Sequence, residues 1–148
     1  MAKFNASDRV IECKIVYCGP GRCGKTTNLE YINRAFKRNI TSELVSINNQ
    51  GEQTLIFDYL PMGIRKIKGC EVKIKLFAVP GQEKYSSTRK MVLKHVDGVV
   101  FVADSLNVQR RENLRSMRDL QRNLSELDIS IFEIQQALFV VPGLYCGL

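Results

Sequence analysis

Residues 19–26 read Gly19-Pro20-Gly21-Arg22-Cys23-Gly24-Lys25-Thr26, a match at every fixed position to G-x-x-x-x-G-K-[ST]. Each residue type serves phosphate chemistry. Gly19, Gly21 and Gly24 let the backbone curl so that several N–H groups point inward at an anion. A helix opening near Lys25 adds the positive end of its dipole. Lys25 can reach the β- and γ-phosphates, and Thr26, followed by Thr27, offers a hydroxyl to Mg²⁺. Cys23 reads as an inert small loop residue, with a thiol open to oxidation as the alternative. The loop alone does not separate GTPases from ATPases or small-molecule kinases.

A second cluster, PGQEKYSSTRK at residues 80–90, follows a strand pattern and leads into a helix pattern. A sensor of the γ-phosphate needs such a hinge. Gly81 can present a backbone N–H, and Gln82 can orient a water molecule.

These residues need rigid elements behind them. Residues 10–18 are rich in β-branched and aromatic types and predict a buried strand ending at the glycine loop. Leu29, Ile32 and Phe36 share one face of a helix over residues 25–37. Residues 54–60 form a second strand, with breaks expected at Pro61-Met62-Gly63 and at Lys68-Gly69. In residues 71–79, Val72, Ile74 and Leu76 alternate with lysines, giving a third strand antiparallel to the second. Residues 99–103 are a fully buried strand. A long helix over about residues 108–127 has Leu114, Met117, Leu120, Leu124 and Leu127 as its inner face. The order predicts one α/β domain over 1–148, with a mainly parallel sheet and one antiparallel edge strand.

Taken together, GPGRCGKTTNLEYI, QTLIFDYLP, VPGQEKYSSTRK and VDGVVFVADS resemble a P-loop NTPase of the Ras-like small GTPase type. More narrowly they are similar to the bacterial MglA family of gliding-motility and cell-polarity GTPases. The resemblance runs from about Asn5 to about Glu133. It implies a G domain that binds GTP or GDP with Mg²⁺ and hydrolyses GTP as a molecular switch. Lys25 and Thr26 would bind phosphate and metal. Thr54 would be the switch I threonine that closes on Mg²⁺ and the γ-phosphate, although as a bare residue it reads as an ordinary strand threonine. Gly81 and Gln82 would belong to switch II, with Gln82 and Lys25 catalytic. The implied partners are a Roadblock-domain GTPase activator of the MglB kind and effectors of polarity or motility.

Three departures bear on that expectation. Ras-like proteins place an aspartate three residues before the switch II glycine to support Mg²⁺; here the residue is Ala78, a position where the MglA branch also departs. Asp58 and Asp104 are the candidate replacements, with Asp58 preferred and Asp104 read otherwise as a strand-end or helix-capping carboxylate. MglA-like proteins carry an arginine before the switch I threonine, implied to be a built-in arginine finger; here it is Gln53, which cannot neutralise charge on the transferred phosphate and so predicts slow hydrolysis. The family reads guanine with N-K-x-D after the fifth strand. No such motif occurs here, and the chain ends IQQALFVVPGLYCGL. That ending reads as a truncated or frameshifted G domain lacking its last strand–helix units. It predicts weakened GTP binding, lost base selectivity or poor folding.

Composition is ordinary for a globular domain, with 45% apolar and 25% charged residues. Five cysteines without a C-x-x-C pair, and one histidine far from them in sequence, argue against zinc. An odd count without a secretion signal predicts free thiols and a cytoplasmic protein. Net charge is +7. Arg111, Arg115, Arg118 and Arg122 recur on one helix face, which reads as a solvated surface or as a dock for an anionic surface, an acidic partner or the inner membrane's face. Few aromatics accompany them, so specific nucleic-acid binding is not expected. The competing readings are a non-catalytic nucleotide-binding or scaffold module, a truncated product without function, and a small-substrate kinase.

Overall fold

The computed structural model describes residues 3–5, 9–40, 42–50 and 54–141, of which 3–5, 48–50, 54–57, 64–65 and 135–141 are described by their backbone. Among the described residues seven strands form one sheet: β1 (Lys3–Asn5), β2 (Val10–Cys18), β3 (Val45–Gln50), β4 (Thr54–Ile67), β5 (Cys70–Ala78), β6 (Gly98–Asp104) and β7 (Gln135–Val141). Their order is β3-β4-β5-β2-β6-β7. β2 lies parallel to β5 and β6, and β6 lies parallel to β7. β1 pairs antiparallel with the first residues of β2, on a stretch that β6 does not reach. The antiparallel edge holds two strands, β3 and β4, where the sequence suggested one.

The α-helices α1 (Lys25–Ala35), α2 (Ser86–Leu93) and α3 (Arg110–Ser125) cover the two faces. Strand alternation divides the core between them. Tyr17, Leu76, Ala78, Val100 and Val102 face α1, where they meet Leu29. Val16, Cys18, Val99 and Phe101 point the other way, against Val92 and Leu93 of α2 and Leu120 and Leu124 of α3. Fully burying one such Leu stabilises the fold by roughly 1.5–3 kcal/mol. Among the described residues no helix is long and apolar enough to cross a membrane.

Several expectations about elements need correction. Pro61-Met62-Gly63 does not break the chain; β4 runs through it, with Pro61 opposite Lys75. Pro61 lies beyond Tyr59, the last residue of β4 that pairs with β3. Past that point the regular β3–β4 ladder has ended and an isolated bridge from Ile40 to Met62 takes its place, so a missing N–H is tolerated. The turn comes at Lys68-Gly69, whose φ values of 50° and 80° suit a two-residue hairpin. Phe36 leaves the predicted helix face because α1 stops at Ala35 and Phe36 takes a non-helical φ of −117°, ending half exposed. Leu114 is 51% exposed, so the inner face of α3 is built without it. Asn113 and Asn123 take polar inward roles: Asn113 bonds both backbone groups of Asp104, and Asn123 is fully buried.

Candidate nucleotide site

The phosphate loop leaves β2 at Cys18 and enters α1 at Lys25. Gly19 has φ 145°, and a Cβ there would lie 2.1 Å from the Val102 carbonyl oxygen, so the loop is pressed against β6 at a point only glycine fits. Arg22 and Gly24 both have positive φ, 61° and 89°. Such alternations of backbone handedness turn successive N–H groups to one side and form an anion nest. Gly24 is also the N-cap of α1 and supplies no capping side chain, which leaves the first N–H groups of the helix for an anion.

Lys25 is buried, and its Nζ donates to the carbonyls of Gly19 (3.0 Å) and Pro20 (2.5 Å) and to Cys23 Sγ (3.3 Å). The ammonium is thus folded over the loop it serves. Cys23 is itself buried beneath it. Gly21, Arg22, Thr26 and Thr27 are exposed. Cys18, just before the loop, is buried, and burial pushes its thiol up to about 12.

At the start of α1, Thr26 Oγ1 donates to Asp58 Oδ2 at 2.5 Å, and Ser46 Oγ donates to Asp58 Oδ1 at 2.6 Å. In the β4–β5 ladder Asp58 is the register partner of Ala78. Partners directly opposite in an antiparallel pair share a face, with Cβ atoms about 4.5–5.5 Å apart. A carboxylate is therefore supplied from β4 beside the position where β5 carries only a methyl group. Asp104, the other candidate, accepts the Leu106 N–H at 2.9 Å and acts as a strand-end cap. Thr54 opens β4 opposite Gln50, four residues before Asp58. Gln53 lies outside the described residues.

Switch-hinge residues sit directly on the loop. A Cβ on Gly81 would fall 2.3 Å from Pro20 C and 2.4 Å from Gly19 O and Gly21 N. Gln82 is exposed, and its Cγ would be 3.9 Å from a Cβ on Gly21. The structure thus brings Lys25, Thr26, Asp58, Gly81 and Gln82 to one end of the sheet.

One residue of this region was not singled out from sequence. Arg89 of α2 is buried; its Nη1 donates to the carbonyls of Pro80 (3.0 Å) and Gln82 (2.6 Å), and its Nε to Asp119 of α3 at 2.7 Å. The available signal was an arginine three and four residues before Val92 and Leu93, on the inner face of α2. The predicted arginine stripe lies beside it. Arg115 pairs with Glu83, and Arg122 with Asp119. Arg115, Arg118 and Arg122 line a groove of about 680 Å³ shared with Gly21 and Gln82.

A mixed sheet with a parallel centre and helices on both faces, and a glycine loop joining its central strand to a helix, define a P-loop NTPase of the Ras-like G-domain type. No protein-family profile matches the chain. Over 126 residues, 85% of its length, the chain is 46% identical to the mutual gliding-motility protein MglA of Myxococcus xanthus. It belongs to the MglA family. The match spans 65% of that relative's length.

Proposed function

We propose that this chain binds guanine nucleotide with Mg²⁺ and hydrolyses GTP to GDP and phosphate as a molecular switch in cell polarity or gliding motility. The observation that carries this reading is the seating of Gly81 on the phosphate loop. A hinge in backbone contact with a phosphate cradle is placed to respond to one phosphate more or less. The similarity to MglA supports the choice of nucleotide and of process.

The residue roles follow from chemistry and position. The loop N–H groups and Lys25 hold the phosphates. Oxygen donors suit Mg²⁺, and Thr26 and Asp58, already 2.5 Å apart, fit as its ligand and support. Bound there, the ion would neutralise charge on the phosphates. Thr54 closes from the start of β4. The Gly81 N–H meets the terminal phosphate, and Gln82 orients the water that attacks it. An activator of the Roadblock, MglB-like kind and polarity or motility effectors are the proposed partners. A cytoplasmic location, with the arginine face of α3 against the inner membrane, belongs to the same proposal.

Fluorescent-nucleotide titration followed by single-turnover hydrolysis tests the reading. Mg²⁺-dependent GTP binding with release of phosphate supports it. Binding without turnover favours a nucleotide-regulated scaffold, which Gln53 and Ala78 would suit. Transfer to an acceptor other than water would make the chain a kinase.

A further inference from the structure

We propose that Arg89 and Asp119 form a latch that aims the Gly81 N–H and fixes the Gln82 backbone, making α3 a working part of the switch. Both are positioning residues, and the kinetic part of the argument rests on the GTPase reading above. Arg89 Nη1 holds the carbonyl on each side of Gly81, those of Pro80 and Gln82. The Pro80 carbonyl and the Gly81 N–H belong to one peptide unit, which is planar and trans. Holding the oxygen therefore directs the N–H to the opposite side. Gly81 also has the phosphate-loop backbone against it, so the hinge is fixed from two directions.

Arg89 is held in turn. Its Nε donates to Asp119 Oδ2, and that carboxylate also accepts from Asn123 Nδ2 (3.1 Å) and from Arg122. Arg89 is 7% exposed and Asn123 1%, so the inner bonds of this network are largely shielded from water and from salt screening, while Arg122 closes it on the solvent side. The planar guanidinium serves three acceptors at set angles, which a lysine ammonium on a flexible stem does not reproduce. A movement of the hinge that turns either carbonyl must break bonds to Arg89, and a shift of α3 must carry Arg89 with it. The reading of the arginine face of α3 as solvated or docking leaves out the inward role of Asp119.

The test compares full-length wild type with Arg89→Lys and the milder Asp119→Asn, which keeps an acceptor for Nε but removes the charge. Hydrogen exchange is followed in peptides covering residues 80–85, alongside GDP affinity and single-turnover GTP hydrolysis. Faster exchange confined to 80–85 is expected in both variants, larger in Arg89→Lys. Hydrolysis should fall about tenfold to a hundredfold, as for a misplaced reacting geometry, while GDP affinity holds. Exchange at 80–85 as slow as wild type, in either variant folded to the wild-type circular dichroism, overturns the latch. If wild type binds nucleotide without turnover, the GTPase reading fails and the exchange measurement still decides the latch.

Discussion

Asp58 and Ala78 face each other across the β4–β5 ladder, and the Asp58 carboxylate accepts the Thr26 hydroxyl at 2.5 Å. A charge missing from one strand is supplied by its register partner on the next. Both positions lie on the α1 side of the sheet, since Ala78 packs with Leu29 and Leu60 in the same cluster. Opposite residues of an antiparallel pair share a face with Cβ atoms only about 4.5–5.5 Å apart, so a carboxylate at either position borders the same patch of the sheet beside Thr26.

Asp58→Ala is therefore expected to lower Mg²⁺-dependent nucleotide affinity by about tenfold to a hundredfold, the usual cost of losing a group that supports a metal ligand. Adding Ala78→Asp to that variant should restore part of the loss. Titrating Mg²⁺ at fixed fluorescent GDP reads both. An unchanged Mg²⁺ requirement in Asp58→Ala would remove Asp58 from the site.

Gly81→Ala tests the contact between hinge and loop. Its new methyl would lie within 2.4 Å of three phosphate-loop backbone atoms, which cannot swing aside as a flexible side chain would. Overpacking of this kind costs about 1–3 kcal/mol. Urea unfolding should show that loss, and nucleotide affinity should fall with it. Wild-type values for both would mean that the hinge does not seat on the loop.

Gln53→Arg tests the missing cation. The family resemblance puts an arginine there, and an arginine finger can raise turnover by about 10³-fold or more. Single-turnover GTP hydrolysis is expected to be faster in Gln53→Arg with GDP affinity unchanged. Equal rates would reject an arginine-finger role for position 53.

The parts of this fold legible from sequence were those written in local patterns. The β-rich run of β2, the glycine loop and the alternation in β5 each declare themselves within nine residues or fewer. Pro61 misled because its tolerance depends on where β3 stops, a fact about another strand. Leu114 misled because helical spacing puts it near the inner stripe, yet α3 turns Asn123 inward and leaves Leu114 in water. Asp58 was nominated for its strand spacing from Thr54, but its pairing with Ala78 is a register that sequence does not print. The acceptors of Arg89 lie seven and nine residues before it and thirty after it, so no window along the chain collects them.

Alkaline stability offers a test of the core behind the loop. Burial raises the Cys18 thiol from 9.0 to about 12, with nearby Lys25 and Arg89 only partly opposing the shift. Between those values the unfolded chain has lost the proton and the folded chain keeps it. The folded state then binds more protons, so stability falls as pH rises, by up to about 1.4 kcal/mol per unit from this group. Below pH 9.0 the thiol is protonated in both states and contributes no slope. Tyr17, also raised by burial from 10.0, adds in the same direction at the upper end. Urea unfolding from pH 8 to about 11 should therefore show a steep decline that Cys18→Ala flattens, even though the smaller side chain lowers stability at pH 8. An equally steep decline in Cys18→Ala would show that this thiol ionises freely in the folded protein, and that the end of β2 is not sealed beneath the phosphate loop.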